Sequence, residues 1–290
     1  MSAAHIDPGV LQQRVAALPA LPKAALDALA ALRDDDTSAE HCAAQIARDP
    51  ALAARTLRLA NSAFYGLAGR VGSVRDAVNM LGRRTLCSAI TAAVVSDQIR
   101  EVRCEGFDFA GFWRHAAGVA IAARAVAREL QLDEEAAFTV GLLHDIGRLA
   151  LAAYFPQQLA AVLRRARAED LPPCELEEPL MHVDHAELGA AIIAQWRLPA
   201  AVVDAVRHHH RPPLPASAKG ASPPRADLAD VAHLADAVAH ALDLSEAEDE
   251  AVPQVDLAAW GRLGLKPAQF HKIFQQTEQG VAALGQALGL

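Results

Sequence analysis

Gly141-Leu142-Leu143-His144-Asp145-Ile146-Gly147-Arg148 sets a histidine beside an aspartate at the end of an apolar run. On consecutive helical positions the two side chains diverge by about 100°, so one apolar stripe cannot hide both. At least one of them needs a polar partner, water or a cation. Neutral imidazole and carboxylate are both good donors to a divalent metal. The doublet reads either as part of a metal site or as a hydrogen-bonded core pair.

Outward from this stretch the chain is helical in character. Hydrophobic residues make up 52% of the 290, led by Ala and Leu, and aromatics only 4%. Val and Ile seldom alternate with polar residues, so strands are poorly supported and the fold class is all-α. Cap signals punctuate the first part. Ser38 precedes a helix over 39–48, Asp49-Pro50 starts the next, and Ser73 caps 74–81, followed by a helix over 84–99. Longer Ala-rich helices follow at 112–130, 134–153, 156–168, 185–196, 199–209 and 227–242, with two closing helices at 257–261 and 267–284. Leu18 to Pro22 is a rigid entry. Residues 211–224 read as a Pro-rich loop and 245–254 as an acidic one. The organisation expected is an N-terminal helical subdomain (15–105), a helical bundle (106–245) and a C-terminal helical extension (246–290).

The formal net charge is −8 and no basic run is present, which argues against direct nucleic-acid binding. The small basic groups Arg83-Arg84 and Arg164-Arg165 with Arg167 read as solvated helix faces. Cys42, Cys87, Cys104 and Cys174 form no CxxC pair and read as small buried residues or free thiols. No leader pattern opens the chain, and no window of about 18 uncharged apolar residues is present. A soluble, cytoplasmic protein without a membrane role is expected, its oligomeric state undetermined.

Metal-capable side chains recur along the second half. His115 follows Phe112-Trp113 on the first long helix. His185 opens another helix, and His209 and His210 close the one striped by Val202, Val203 and Val206. Asp236 lies among apolar neighbours. Ligands on facing helices are the way bundle metal sites are built. The rival reading gives each histidine a backbone or carboxylate partner, and makes His208-His209-His210 a solvated helix end suited to the macrodipole.

The order His115, His144-Asp145, His185, His209-His210, Asp236 resembles the HD superfamily, which includes metal-dependent phosphohydrolases. More closely, the chain resembles HDOD proteins, bacterial signalling modules related to HD and HD-GYP domains. The stretches that carry this resemblance begin with Asp49-Pro50-Ala51-Leu52 running through Leu57 to Gly66. Ser73-Val74-Arg75-Asp76-Ala77-Val78 with Met80-Leu81-Gly82, Phe112-Trp113-Arg114-His115, Asp184 to Gly189 and Trp196 with Leu198-Pro199 extend it. The similarity spans roughly 15 to 245. It implies a regulatory output module, non-enzymatic, acting through signalling-protein partners or a small ligand. No receiver, kinase or cyclase segment fits this length, so input is expected from another chain or a small molecule.

The alternative it implies is a metal-dependent phosphohydrolase. His115, His144, Asp145 and Asp236 would hold one divalent ion (Fe, Mn, Zn or Ni). His185, His209 and His210 would add a second, with Asp145 bridging, and Arg148 would contact phosphate. The Gly-Tyr-Pro segment of HD-GYP phosphodiesterases is replaced here by Arg211-Pro212-Pro213-Leu214, which removes the argument for cyclic di-GMP hydrolysis. Arg148 stands where HD-GYP proteins usually carry Lys, and its fork offers a phosphate different geometry. Asp184 and Glu187 are nearby carboxylates, and the sequence leaves open whether either supports the ligands from behind.

Overall fold

The computed structural model describes residues 6–16, 21–67, 69–98, 103–213, 225–244 and 252–288. Residues 18–20 of the rigid entry, 214–224 of the Pro-rich loop and 245–251 of the acidic loop lie outside them. The fold is all-α, with no strand among the described residues. The chain divides into two compact units, one of residues 19–100 with 278–290, the other of 1–18 with 101–277.

A short helix α1 (Pro8–Ala16), which the sequence pattern does not announce, belongs to the unit of 1–18 with 101–277, and the unit of 19–100 holds α2 (Lys23–Arg33), α3 (Ala39–Ala47), α4 (Pro50–Ala60), α5 (Val74–Leu81) and α6 (Arg83–Gln98). The predicted caps form. Ser38 accepts from His41 N–H, Asp49 from Ala51 and Leu52 N–H with Pro50 at the first helical position, and Ser73 from Asp76 N–H. Leu29, Ile46, Leu59, Leu86 and Ile90 are buried in this unit.

Asn61 ends α4 and ties it to the following segment. Its amide donates to Leu57 O and Val71 O, and its carbonyl oxygen accepts from Val71 N–H. Its neighbour Ser62 makes no side-chain hydrogen bond. Arg83 departs from the expected solvated face. Its guanidinium donates to the carbonyls of Asp34, Asp35 and Thr37, pinning the α2–α3 turn.

The other unit holds α7 (Phe109–Leu130), α8 (Glu134–Leu143), α9 (Ile146–Tyr154), α10 (Pro156–Glu169), α11 (Pro173–Met181), α12 (His185–Gln195), α13 (Ala200–His208), α14 (Leu228–Ala241) and α15 (Leu257–Leu263). The last helix is α16 (Pro267–Leu288). Helix α7 packs on α8 and α14, and α12 packs on α9 and α13.

One expectation is corrected at the stretch that opened the reading. The helix predicted over 134–153 is two helices. His144 still has helical dihedrals, but Asp145 leaves them at φ −101°, ψ 12°. The run Glu134–Tyr154 is long and apolar enough to cross a membrane by length and composition, yet 78% of its most apolar window is buried inside the chain.

Two glycines set the spacing here. A Cβ on Gly141 would lie 2.6 Å from Val119 O, and one on Gly147 would lie 1.9 Å from His185 O. Only glycine lets α8 close on α7 and α9 close on α12. Helix α11 was also not legible in sequence, being preceded by Pro172, opening on Pro173 and carrying Pro179 inside.

Candidate metal centre

The break between α8 and α9 turns the two halves of the doublet to different neighbours. His144 and Asp145 are both buried. His144 Nδ1 donates to Gly141 O at 2.7 Å, which leaves the Nε2 lone pair facing inward. His209 repeats the arrangement at the end of α13, with Nδ1 donating to Val206 O at 2.7 Å. On α12, His185 Nδ1 donates to Glu177 Oε2 at 2.5 Å. Three imidazoles thus have their outer nitrogens engaged and their Nε2 atoms aimed at a common region.

All seven residues expected as ligands converge. On one side of Asp145, His185 Nε2 is 3.0 Å and His209 Nε2 is 3.6 Å from Oδ1. His210 Nε2 lies 2.9 Å from His185 Nε2. On the other side, His115 Nε2 lies 3.3 Å from His144 Nε2 and 3.0 Å from Asp236 Oδ1. His144 Nε2 is 3.6 Å from Asp145 Oδ2 and 3.7 Å from Asp236 Oδ1. Asp145 therefore belongs to two donor groups, one with His185, His209 and His210 and one with His115 and His144. His208 is not part of the cluster; its Nδ1 bonds to Asp204 O.

The donor set fits a cation. Nitrogen ligands about 2.1 Å from an ion are about 3.0 Å apart at an octahedral edge and about 3.4 Å at a tetrahedral one. The His185–Asp145 separation of 3.0 Å lies in that range, and His209 and His144, each 3.6 Å from an Asp145 oxygen, lie slightly beyond it. The inward Nε2 of His144 is an acceptor among further polar atoms, and a positive ion is what such a nest binds.

Charge states follow from the surroundings. Burial pushes His144 down to about 3, so its imidazole is neutral at ordinary pH. Burial also depresses His210. For His185, burial opposes the charged form, but the Glu177 carboxylate, with help from Asp145, raises it to about 9. Burial would raise Asp145, yet Arg148, His144 and His185 hold it well below the usual carboxylate range. Asp236 is held low against its burial by hydrogen bonds from His115 and His240.

Two contributors escaped the sequence reading. Glu177, fully buried on the unannounced helix α11, also accepts the backbone N–H of His185 at 2.8 Å. It takes the supporting place for which Asp184 and Glu187 were the candidates. Asp184 caps α12 through Glu187 N–H, and Glu187 pairs with Arg207 at the surface. His240 sits one turn after Asp236 on α14, with Nε2 3.3 Å from Asp236 Oδ1. An i, i+4 step from Asp236 would have found it; nothing local marks Glu177.

Arg148 donates to Asp145 Oδ2 at 2.9 Å and pairs with Glu177 Oε1 at 3.8 Å. With His115, Asp145 and His240 it lines a cavity of about 210 Å³ whose lining also includes Phe112 and Leu163. Behind the site, His233 Nδ1 donates to His209 O at 2.8 Å while its Nε2 accepts from Asp256 N–H at 2.9 Å. A buried pair, Asp230 and Arg262, fastens α15 to α14. The four cysteines are free thiols.

The profile of the HDOD domain matches residues 18–212. A candidate phosphohydrolase from Shewanella amazonensis SB2B is similar in structure, at 32% identity and a TM-score of 0.73, covering 99% of this chain and 98% of that one. An HDOD domain protein of unknown function from Geobacter sulfurreducens gives 23% identity and a TM-score of 0.76 over 97% and 99% of the two chains. An uncharacterised protein of Treponema pallidum is 27% identical over 205 residues; that match takes in 70% of this chain but 39% of the curated relative's length.

Proposed function

The chain belongs to the HDOD family, and on that premise we propose that it is a regulatory protein carrying a complete HD-type metal centre that hydrolyses a small phosphoester. One observation carries this reading: two groups of donors share Asp145 and adjoin a cavity that Arg148 enters. The similarity to the Shewanella candidate phosphohydrolase points the same way.

Divalent ions in the two groups would supply Lewis acidity to a phosphoryl group and to an attacking water. The protein's own part is positional. Asp145 is held ionised between the donor groups, and Glu177 orients His185. Arg148, fixed by Asp145 and Glu177, presents a forked cation to a phosphate in the cavity. Phe112 and Leu163, also in the lining, accept an apolar substituent. At about 210 Å³ the cavity is below the range of about 300–1,000 Å³ typical of pockets for drug-sized ligands. It suits a phosphate with a small organic group better than a cyclic dinucleotide.

The test is metal analysis after purification with Fe, Mn, Zn or Ni, followed by phosphate release from small phosphomonoesters and diesters. About two ions per chain, and turnover abolished by Asp145→Asn, are expected. Absence of bound metal overturns the proposal.

A second reading, metal binding without turnover, is favoured by His240, which stands between Asp236 and the cavity. Full metal loading with no hydrolysis of any phosphoester would select it. The centre would then be the ligand-responsive core of a module acting through signalling partners.

A further inference from the structure

Helix α14 supplies a donor that the HD-like ligand order does not include. His240 Nε2 is 3.3 Å from Asp236 Oδ1, and that oxygen is 3.0 Å from His115 Nε2. The rings of His115 and His240 are 4.5 Å apart between centroids. The three donor atoms lie within 4.8 Å of one another. His144 Nε2 stands 3.3 Å from His115 Nε2 and 3.7 Å from Asp236 Oδ1. These separations are of the size expected between ligands of one ion.

We propose that His240 is an additional ligand of the ion held by His115, His144, Asp145 and Asp236, reaching it from the cavity side. This rests on the reading of the cluster as a metal centre, but not on turnover. It makes the two ion positions unequal. One has five protein donors, three of them imidazoles. The other has Asp145, His185, His209 and His210. A nitrogen-rich set of this kind selects borderline first-row ions such as Fe²⁺, Co²⁺, Ni²⁺ or Zn²⁺ over Mg²⁺ and Ca²⁺. The five-donor position is the tighter one.

The experiment uses the full chain loaded with Co²⁺, titrated by calorimetry and followed by its visible spectrum. His240→Ala is expected to weaken one of the two ions at least about 10-fold and change its d–d bands, leaving the other ion as in the wild type. Added imidazole should restore the wild-type spectrum by filling the vacated place. His240→Gln and thermal unfolding of the metal-free variants separate ligand loss from misfolding. Wild-type affinity and spectrum in folded His240→Ala would overturn the proposal while leaving the metal centre standing. Failure of the wild type itself to bind Co²⁺ would overturn both. Full loading without phosphoester turnover would remove only hydrolysis and leave the assignment of His240 supported by its own readouts.

Discussion

Glu177 Oε2 accepts two hydrogen bonds from one residue, the Nδ1–H of His185 at 2.5 Å and its backbone N–H at 2.8 Å. The carboxylate fixes both the position and the tautomer of that imidazole. Glu177→Gln keeps the shape but removes the charge that makes His185 a strong donor. The expected result is metal affinity lower by about 10- to 100-fold at the position His185 serves, with the fold retained. Competition with a chromophoric chelator measures it, and an unchanged affinity would contradict the role.

Gly147 and the His185 carbonyl leave no room for a side chain, since a Cβ would come within 1.9 Å of that oxygen. Gly147→Ala must push α9 from α12 and with them Asp145 from His185. A loss of about 1–3 kcal/mol or more is expected in denaturant unfolding, with weakened metal binding in whatever folds. A variant with wild-type stability and metal content would show that the helices yield more easily than this spacing implies.

The pH dependence of the metal-free protein has two opposed parts. His144, depressed by burial to about 3, contributes stability that is present above its unfolded value of about 6.5 and is lost as pH falls towards 3. His185 is the reverse. Burial opposes its charge, but Glu177 raises it to about 9, so its contribution is full below about 6.5 and is lost as pH climbs through 9. From these two groups, the Tm in chelator is expected to peak near pH 6.5. An ion replaces the proton on His185, so the gain in Tm from metal should grow between about pH 6.5 and 9. Scanning calorimetry with and without metal checks this; a gain that shrinks over that interval would refute it.

Much of the architecture was written locally. Ser38, Asp49 and Ser73 announced their helices because a cap satisfies backbone groups within four residues. The seven expected residues of the cluster were legible by residue type and by their place at helix ends or beside apolar neighbours, although only the fold brings them together. What stayed hidden depends on tertiary contact. The kink at Asp145 and the close approach of Gly147 to α12 are features that no periodicity records. Glu177 sits in an acidic, proline-punctuated stretch that resembles surface, and only burial against His185 gives it a role. Arg83 looked solvated because its partners are carbonyls some 46–49 residues away.

Asn61 tests the other unit independently of the metal. Its side chain makes one bond to Leu57 and two to Val71. Asn61→Ala should cost about 2 kcal/mol at roughly 0.5–1.5 kcal/mol per bond, while metal stoichiometry stays at the wild-type value. Urea unfolding alongside metal analysis reads both; a loss of bound metal in the folded variant would tie this turn to the centre.

The bridge through His233, from the His209 carbonyl to the Asp256 amide, reaches beyond the stretch in which the HDOD profile matches. Asp236 and His240 also lie past residue 212. A boundary drawn where the HDOD profile ends would therefore cut through the donor cluster, leaving six expected donors without Asp236, their second carboxylate. Surveys that score such chains only within the shared segment would underestimate which of them can hold metal.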